Sequence, residues 1–181
     1  MRGVTELTMQ AESDSRADST DSLTIRVTAG SGRGRTTMAA FDGALRSAGI
    51  ADHNLIRLSS IIPAGSVVEV CNPADQLRGD FGDALYCVYA VAFATERGDD
   101  AWSGIGWSLA TDGSGRGLFV EHVGHAEEQV RYMITTSLAD MANGREEEFE
   151  FADMVLGSAY CSAQPACSVV VATYRTKGWN P

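Results

Sequence analysis

The run from Ala84 to Thr95 constrains the fold more than any other stretch of this sequence. It is almost continuously apolar, and its β-branched and aromatic residues are Tyr86, Val88, Tyr89, Val91 and Phe93. These residue types favour a β-strand over a helix, and an apolar run without alternation is typical of a strand buried on both faces. The run therefore predicts a central strand in a sheet that other layers cover on both sides.

The other periodic segments predict two helices and several more strands. Thr36 or Thr37 can cap a first helix that ends near Gly49, and a second helix is expected from about residue 125 to 142. Strands are predicted at Leu23–Ala29, Asn54–Leu58, Ser66–Val70, Ile105–Ala110, Leu118–Val123, Glu147–Leu156 and Ser168–Tyr174, with the fourth and fifth as hairpin partners. This order suggests two β-α-β-β units whose sheets pack face to face with helices outside. The predicted fold is α+β, a four-layer α/β/β/α sandwich.

Two connecting segments are predicted to be loops. The glycine-rich segment from Gly30 to Arg35 would lead into the first helix, where its backbone N–H groups could hold a carboxylate or phosphate. It lacks the Gly-Lys-Ser/Thr ending of a P-loop and the glycine spacing of a dinucleotide site, so this signal is weak. The segment from Glu96 to Ser103 is predicted to loop outward.

Length and composition indicate one folded domain. The chain has 181 residues, of which 44% are hydrophobic, enough for one globular domain with a core. Residues 1–22 are rich in Ser, Thr, Asp and Glu and have no periodic apolar face, so they predict a disordered tail. The domain is expected to comprise residues 23–181.

The formal net charge of −10 argues against binding to nucleic acid through a basic surface. No apolar run approaches the roughly 18 residues of a membrane span, and the N-terminus lacks the apolar segment of a signal peptide. We therefore expect a cytoplasmic protein without a membrane partner, whose four cysteines are reduced thiols. Glu121, His122 and His125 lie close together in the sequence, but no further ligands accompany them, so no metal site is expected.

The paired serines Ser59 and Ser60 are the most unusual local feature. They follow a strand-like apolar segment, and no glycine or asparagine is present there to make a turn. A hydroxyl at position 60 lies next to the carbonyl carbon of position 59, which it could attack. The bond between the two serines is therefore a candidate reaction site.

Three segments resemble one enzyme family. The segment Asn-Leu-Ile-Arg-Leu-Ser-Ser-Ile-Ile-Pro, residues 54–63, resembles the self-cleavage segment of the pyruvoyl-dependent arginine decarboxylases. Ala40–Leu45, followed by Ala-Gly-Ile at 48–50, resembles the helix that precedes it, and Gly117–Glu121 resembles the segment with the family's acidic active-site residue. The three segments occur in the family's order, and the resemblance extends from about Leu23 to Tyr174. The family's fold agrees with the predicted sandwich.

The resemblance implies a cofactor made from the chain itself. Ser60 would attack the Ser59 carbonyl, and cleavage between them would convert Ser60 to a covalent pyruvoyl group. Glu121 would be the proton donor in decarboxylation, a role that needs a carboxyl kept neutral by burial, and Asn54 would assist processing. From the residues alone, a strand-entry turn at Asn54 and a solvent-facing Glu121 remain open.

The resemblance also implies a substrate, L-arginine, and products, agmatine and CO₂. Asp42 would pair with the substrate guanidinium, Leu45 would line the pocket, and Ser31 would help hold the substrate. Core packing is an equal alternative for Leu45, and Gly32 and Arg33 after Ser31 depart from the family pattern. The implied assembly is a trimer, or a multiple of one, with active sites between subunits. Decarboxylation of another amino acid, and binding of a small ligand without chemistry, remain open as functions.

Overall fold

The computed structural model of the chain describes residues 22–179. Two helices, α1 (Thr37–Ser47) and α2 (Glu127–Asn143), accompany nine strands, and one turn of 3₁₀ helix spans Pro73–Asp75. The strands are β1 (Leu23–Arg33), β2 (Asn54–Arg57), β3 (Ile61–Ile62), β4 (Ser66–Val70), β5 (Ala84–Ala94), β6 (Asp100–Ala110), β7 (Gly117–Gly124), β8 (Phe149–Tyr160) and β9 (Ala166–Lys177). No helix between residues 22 and 179 is long and apolar enough to cross a membrane.

The strands form two sheets that pack face to face. The larger sheet has the order β2-β5-β9-β1-β4, and the smaller has the order β3-β7-β6-β8. The core between them combines aromatic and branched side chains of both sheets, including Val88 and Val170 from the larger sheet and Ile105 and Phe119 from the smaller. The sheets are therefore the two inner layers of the fold.

The helices cover the outer faces of the sheets. Three buried residues of α1, Ala40, Ala44 and Leu45, pack against the larger sheet. Three buried residues of α2, Val130, Ile134 and Leu138, pack against the smaller sheet. The predicted α+β sandwich with layers α/β/β/α is confirmed.

The glycine-rich segment after residue 29 is a strand, so its prediction as a loop is wrong. β1 continues through Arg33 and pairs with β9, with Gly30 opposite Val169 and Gly32 opposite Cys167. A Cβ atom on Gly30 would lie 2.3 Å from the Ala44 carbonyl oxygen. The glycines thus let α1 lie close against the strand, and the segment does not form an anion-binding loop.

Most other predicted elements are confirmed within a few residues of their ends. Thr36 caps α1, its hydroxyl accepting a hydrogen bond from the Ala39 N–H, and β5 lies inside the larger sheet with a partner on each side. β6 and β7 are antiparallel partners as predicted, although β6 begins at Asp100 inside the segment predicted to loop outward. The predicted tail, residues 1–22, falls almost wholly outside the described residues.

Candidate active site

The double serine lies where the chain crosses from one sheet to the other. β2 pairs in parallel with β5 at the edge of the larger sheet, and the Leu58 N–H still donates to the Cys87 carbonyl. Three residues after Leu58, β3 begins and pairs with β7 at the edge of the smaller sheet, with Ile61 opposite Leu118. The bond between Ser59 and Ser60 is therefore the link between the two sheets.

Ser60 makes the turn at this crossover in a left-handed backbone conformation. Its φ is +67°, and within residues 22–179 no other non-glycine residue has a positive φ. This conformation costs an L-residue roughly 1–2 kcal/mol. Strain of this kind persists only where the surrounding structure enforces it, and it is concentrated at functional sites.

Backbone contacts hold the crossover on its C-terminal side. The Phe119 N–H donates to the Ser60 carbonyl at 2.9 Å, and the Tyr174 hydroxyl donates to the Ile61 carbonyl at 3.0 Å. The Tyr174 ring packs edge-on against Phe119 in the core. Burial, and in second place the negative charge of Glu121, raise the pKa of Tyr174, so its hydroxyl remains a donor. Position 60 is thereby fixed to the core.

Glu121 faces the Ser60 hydroxyl. The Ser60 Oγ donates to the Glu121 Oε1 at 2.5 Å, and both residues are partly buried. Glu121 lies two residues after Phe119 on β7, so its side chain leaves the strand on the same face, toward the gap between the sheets. A carboxylate at this distance can accept the hydroxyl proton when the oxygen attacks.

A cavity of about 330 Å³ opens beside Glu121. Its other walls include Arg57 on β2, Tyr89 on β5, His122 on β7 and Met133 on α2. The His122 Nε2 is 2.8 Å from the Ser137 Oγ on α2. Burial lowers the pKa of His122 against the opposing effect of the Glu121 carboxylate, so the imidazole tends to stay neutral.

Position 60 can accommodate a pyruvoyl group. Such a group retains the Ser60 carbonyl, which Phe119 already holds, and replaces the hydroxymethyl carbon with a methyl carbon. It therefore needs no more space than the serine does, and Glu121 would lie beside it. Among the residues that the structure describes, no group of three or more His, Cys, Asp or Glu side chains is arranged to hold a metal ion.

Asn54 lies at the far end of β2 from the double serine. Its side-chain amide donates to the Gly82 carbonyl at 2.5 Å, and the Trp179 Nε1 donates to the same carbonyl at 2.7 Å. Ser59 is five residues after Asn54, a separation of about 16 Å in an extended strand. Within one chain, the Asn54 amide therefore does not reach the bond between the serines.

The three predicted substrate-binding residues also lie away from Ser60. Asp42 is exposed on α1 and pairs with Arg46 one turn later. Leu45 belongs to the core beneath α1, with 8% of its surface exposed. Ser31 is exposed on β1 beside a separate cavity of about 510 Å³, which shares no lining residue with the cavity at Glu121.

Two residues at the site were not predicted to have a role. Tyr174 anchors Ile61 from the last strand, and Arg57 lines the cavity with its guanidinium 5.1 Å from the centre of the Tyr89 ring. Arg57 belongs to the segment that resembles the family's cleavage site, so its position was a usable signal. Tyr174 is remote in sequence, and only the contact of β9 with the smaller sheet, through Phe119 and Ile61, identifies it.

Comparison with known proteins identifies the family of the chain. The family model described as pyruvoyl-dependent arginine decarboxylase matches residues 24–177. A protein of that name from Picrophilus torridus is 35% identical over 132 residues, covering 70% of this chain and 71% of the relative. One from Halobacterium salinarum is 41% identical over 97 residues, covering 54% of this chain and 58% of the relative.

A third relative with the same name, from Methanocaldococcus jannaschii, is 35% identical over 115 residues, covering 61% of this chain and 67% of the relative. The family model spans the crossover, the glutamate beside it and both helices. The chain belongs to the pyruvoyl-dependent arginine decarboxylase family.

Proposed function

We propose that this chain is a self-processing pyruvoyl-dependent decarboxylase that converts L-arginine to agmatine and CO₂. The observation that carries the proposal is the Ser60 hydroxyl, held 2.5 Å from the Glu121 carboxylate at a strained link between two sheets. Family membership supports the reaction type and the substrate. The proposed domain comprises residues 23–181, with the cut between residues 59 and 60.

In the proposed cleavage, the Ser60 Oγ attacks the Ser59 carbonyl carbon while Glu121 takes the hydroxyl proton. The amide becomes an ester once the Ser60 nitrogen has gained a proton. Loss of the Ser60 Cα proton then expels Ser59 as a carboxylate and leaves dehydroalanine at position 60. Water adds and ammonia leaves, which completes the pyruvoyl carbonyl. One water is consumed for each chain that is cut. The backbone strain at position 60 is released, because the nitrogen that defines its φ angle leaves as ammonia.

The pyruvoyl group, when present, withdraws electrons from the α-carbon of a bound amino acid so that CO₂ can leave. Glu121 then has a second task, because the α-carbon must receive a proton after CO₂ has left. A glutamic acid beside position 60 can deliver that proton from Oε1. The Phe119 N–H keeps the carbonyl of position 60 in place throughout.

The guanidinium of arginine needs an anionic partner, and we assign this role to Asp42 of a neighbouring copy in a trimer or a multiple of one. Asp42 already pairs with a guanidinium, that of Arg46. Arg46, the ion-pair partner of Asp42, lines the same cavity as His53, which precedes Asn54 in the sequence. Asp42 and Asn54 are both remote from Ser60 in their own chain, which supports a site completed between copies. Leu45 is not part of this proposal because it packs in the core.

A cytoplasmic location without nucleic-acid or membrane partners is part of the same proposal. All four cysteines are unpaired, as expected in a reducing compartment. The net charge of −10 argues against a basic surface that could bind the phosphate backbone of a nucleic acid.

Intact-mass measurement of the purified protein, combined with an agmatine assay, tests the proposal. The expected result is two fragments that meet between Ser59 and Ser60, the larger with a ketone that reacts with a hydrazide, and release of CO₂ from arginine. Release of CO₂ only from another amino acid would support the proposed reaction type but show that arginine is not the substrate. An uncut chain that decarboxylates no amino acid would refute the proposal.

A further inference from the structure

Arg57 is a cation at the reaction site, and no residue in the described range 22–179 forms an ion pair with it. Its guanidinium lies over the Tyr89 ring, 5.1 Å from the ring centre, in a cation–π arrangement. The ion pairs among residues 22–179 involve Arg46, Arg116 and Arg131, and none includes Arg57. Arg57 also lines the cavity beside Glu121. An unpaired guanidinium in this position is suited to bind an anion that the uncut chain does not yet contain.

The strand register places Arg57 and Ser59 on one face. Leu58, between them, packs against the core between the sheets, whereas Arg57 and Ser59 are exposed. Arg57 pairs with Cys87 in parallel register, and the same register continued by two residues sets Ser59 level with Tyr89. The Arg57 guanidinium, which lies over Tyr89, therefore already extends along the strand toward Ser59.

Two anions could bind to the Arg57 guanidinium. One is the α-carboxylate of the substrate, but a strong clamp on that group would stabilise the ground state and oppose the loss of CO₂. The other is the α-carboxylate that Ser59 acquires when the chain is cut. That carboxylate forms two residues from Arg57, so it is tethered at an effective concentration on the order of millimolar or more.

We propose that Arg57 binds the new Ser59 carboxylate and fixes the cut chain end along the edge of β5. This inference rests on the proposed cleavage. Arg57 is a positioning residue in this account, since it acts on the chain end and not on the reacting atoms. The ion pair also neutralises the negative charge of the new chain end, close to the cavity that Arg57 and Glu121 both line. Without it, the free end could move into the space beside position 60.

Trimming of the cut enzyme by a carboxypeptidase at neutral pH tests the proposal. Intact mass reports how fast the fragment that ends at Ser59 is shortened. We expect Arg57→Gln to raise the trimming rate up to about fivefold, the ratio that a surface ion pair can provide. Arg57→Lys should restore most of the protection, because it retains the charge. Raising the salt concentration to 1 M should bring the wild-type rate toward that of Arg57→Gln.

The matched control is Arg97→Gln, which removes an exposed arginine in the turn before β6 and should leave trimming unchanged. Equal trimming of wild type and Arg57→Gln would overturn the inference. A rise in KM for arginine of tenfold or more, with trimming unchanged, would assign Arg57 to the substrate carboxylate instead. A wild-type chain that is never cut would refute the proposed function first and this inference with it, so the two failures are distinguishable.

Discussion

Replacement of Glu121 by glutamine should slow the self-cleavage as well as the decarboxylation. The Glu121 Oε1 accepts a hydrogen bond from the Ser60 hydroxyl at 2.5 Å. Among the described residues, no other carboxylate forms a hydrogen bond with that hydroxyl. A glutamine oxygen can accept the same hydrogen bond, but it cannot take the proton as the oxygen attacks. General-base assistance contributes about 10²- to 10⁴-fold to a rate. The barrier to cleavage should therefore rise by about 2.7–5.4 kcal/mol.

Cell-free synthesis gives the measurement a defined starting time. The uncut and cut chains are quantified by mass at intervals after translation stops, for wild type and for Glu121→Gln. Glu150→Gln is the matched control, because Glu150 is an exposed glutamate on the same sheet, in β8. Its cleavage rate should equal that of wild type. The chain that Glu121→Gln does cut, isolated after long incubation, should decarboxylate arginine slowly for each pyruvoyl group formed.

One result would refute the reasoning about Glu121. Cleavage of Glu121→Gln at the wild-type rate would mean that the 2.5 Å contact orients the hydroxyl without accepting its proton. If decarboxylation remained slow in that case, Glu121 would keep only its role as proton donor. Full activity in both steps would remove Glu121 from the mechanism altogether.

Four further outcomes can be measured on purified variants. Ser60→Ala should leave the chain uncut and inactive, and a cut at the same bond by mass would show that another nucleophile acts. Asp42→Asn should raise KM for arginine about 10- to 100-fold while cleavage proceeds normally, and an unchanged KM would exclude Asp42 as the guanidinium partner. Gly30→Ala should lower the free energy of unfolding in urea by about 1–3 kcal/mol, because its Cβ would meet the Ala44 carbonyl, whereas Ser31→Ala on the same strand should change it little. Burial raises the pKa of Cys87 to about 12, so its thiol should not react with Ellman's reagent in the native protein at pH 9, and the folded state should lose stability as the pH rises from about 9 toward 12.

The layers of the fold could be predicted because their signals are local. The apolar run of β5 and the helical spacing of α1 and α2 depend on neighbouring residues, and the structure confirms all three. The prediction for the segment from Gly30 to Gly34 was wrong, because glycine-rich segments usually form turns. Here all three glycines lie against α1 or its end, and this requirement for close contact is visible only once the position of α1 is known.

The sequence pointed to the two residues at the centre of the candidate site and to less of their surroundings. Ser60 and Glu121 are 61 residues apart, and only the resemblance to a family linked them before the structure brought them into hydrogen-bonding contact. β3 is two residues long, too short for any periodicity, so the crossover between sheets had no signal of its own. Tyr174 holds this short strand from the far end of the sequence.

The position of the double serine would allow the proposed cleavage without loss of the strand pairing around it. β2 keeps its pairing with β5 and β3 keeps its pairing with β7 when the bond between Ser59 and Ser60 is broken, because that bond lies outside both ladders. The N-terminal fragment also contributes β1, which lies between β9 and β4 inside the larger sheet, so pairing on both sides retains the fragment. A cut inside a strand would sacrifice ladder hydrogen bonds, and a cut in an outer loop would release no strain near Glu121. A crossover between sheet edges avoids both disadvantages, and the proposed pyruvoyl carbonyl would form beside Glu121, which already contacts position 60.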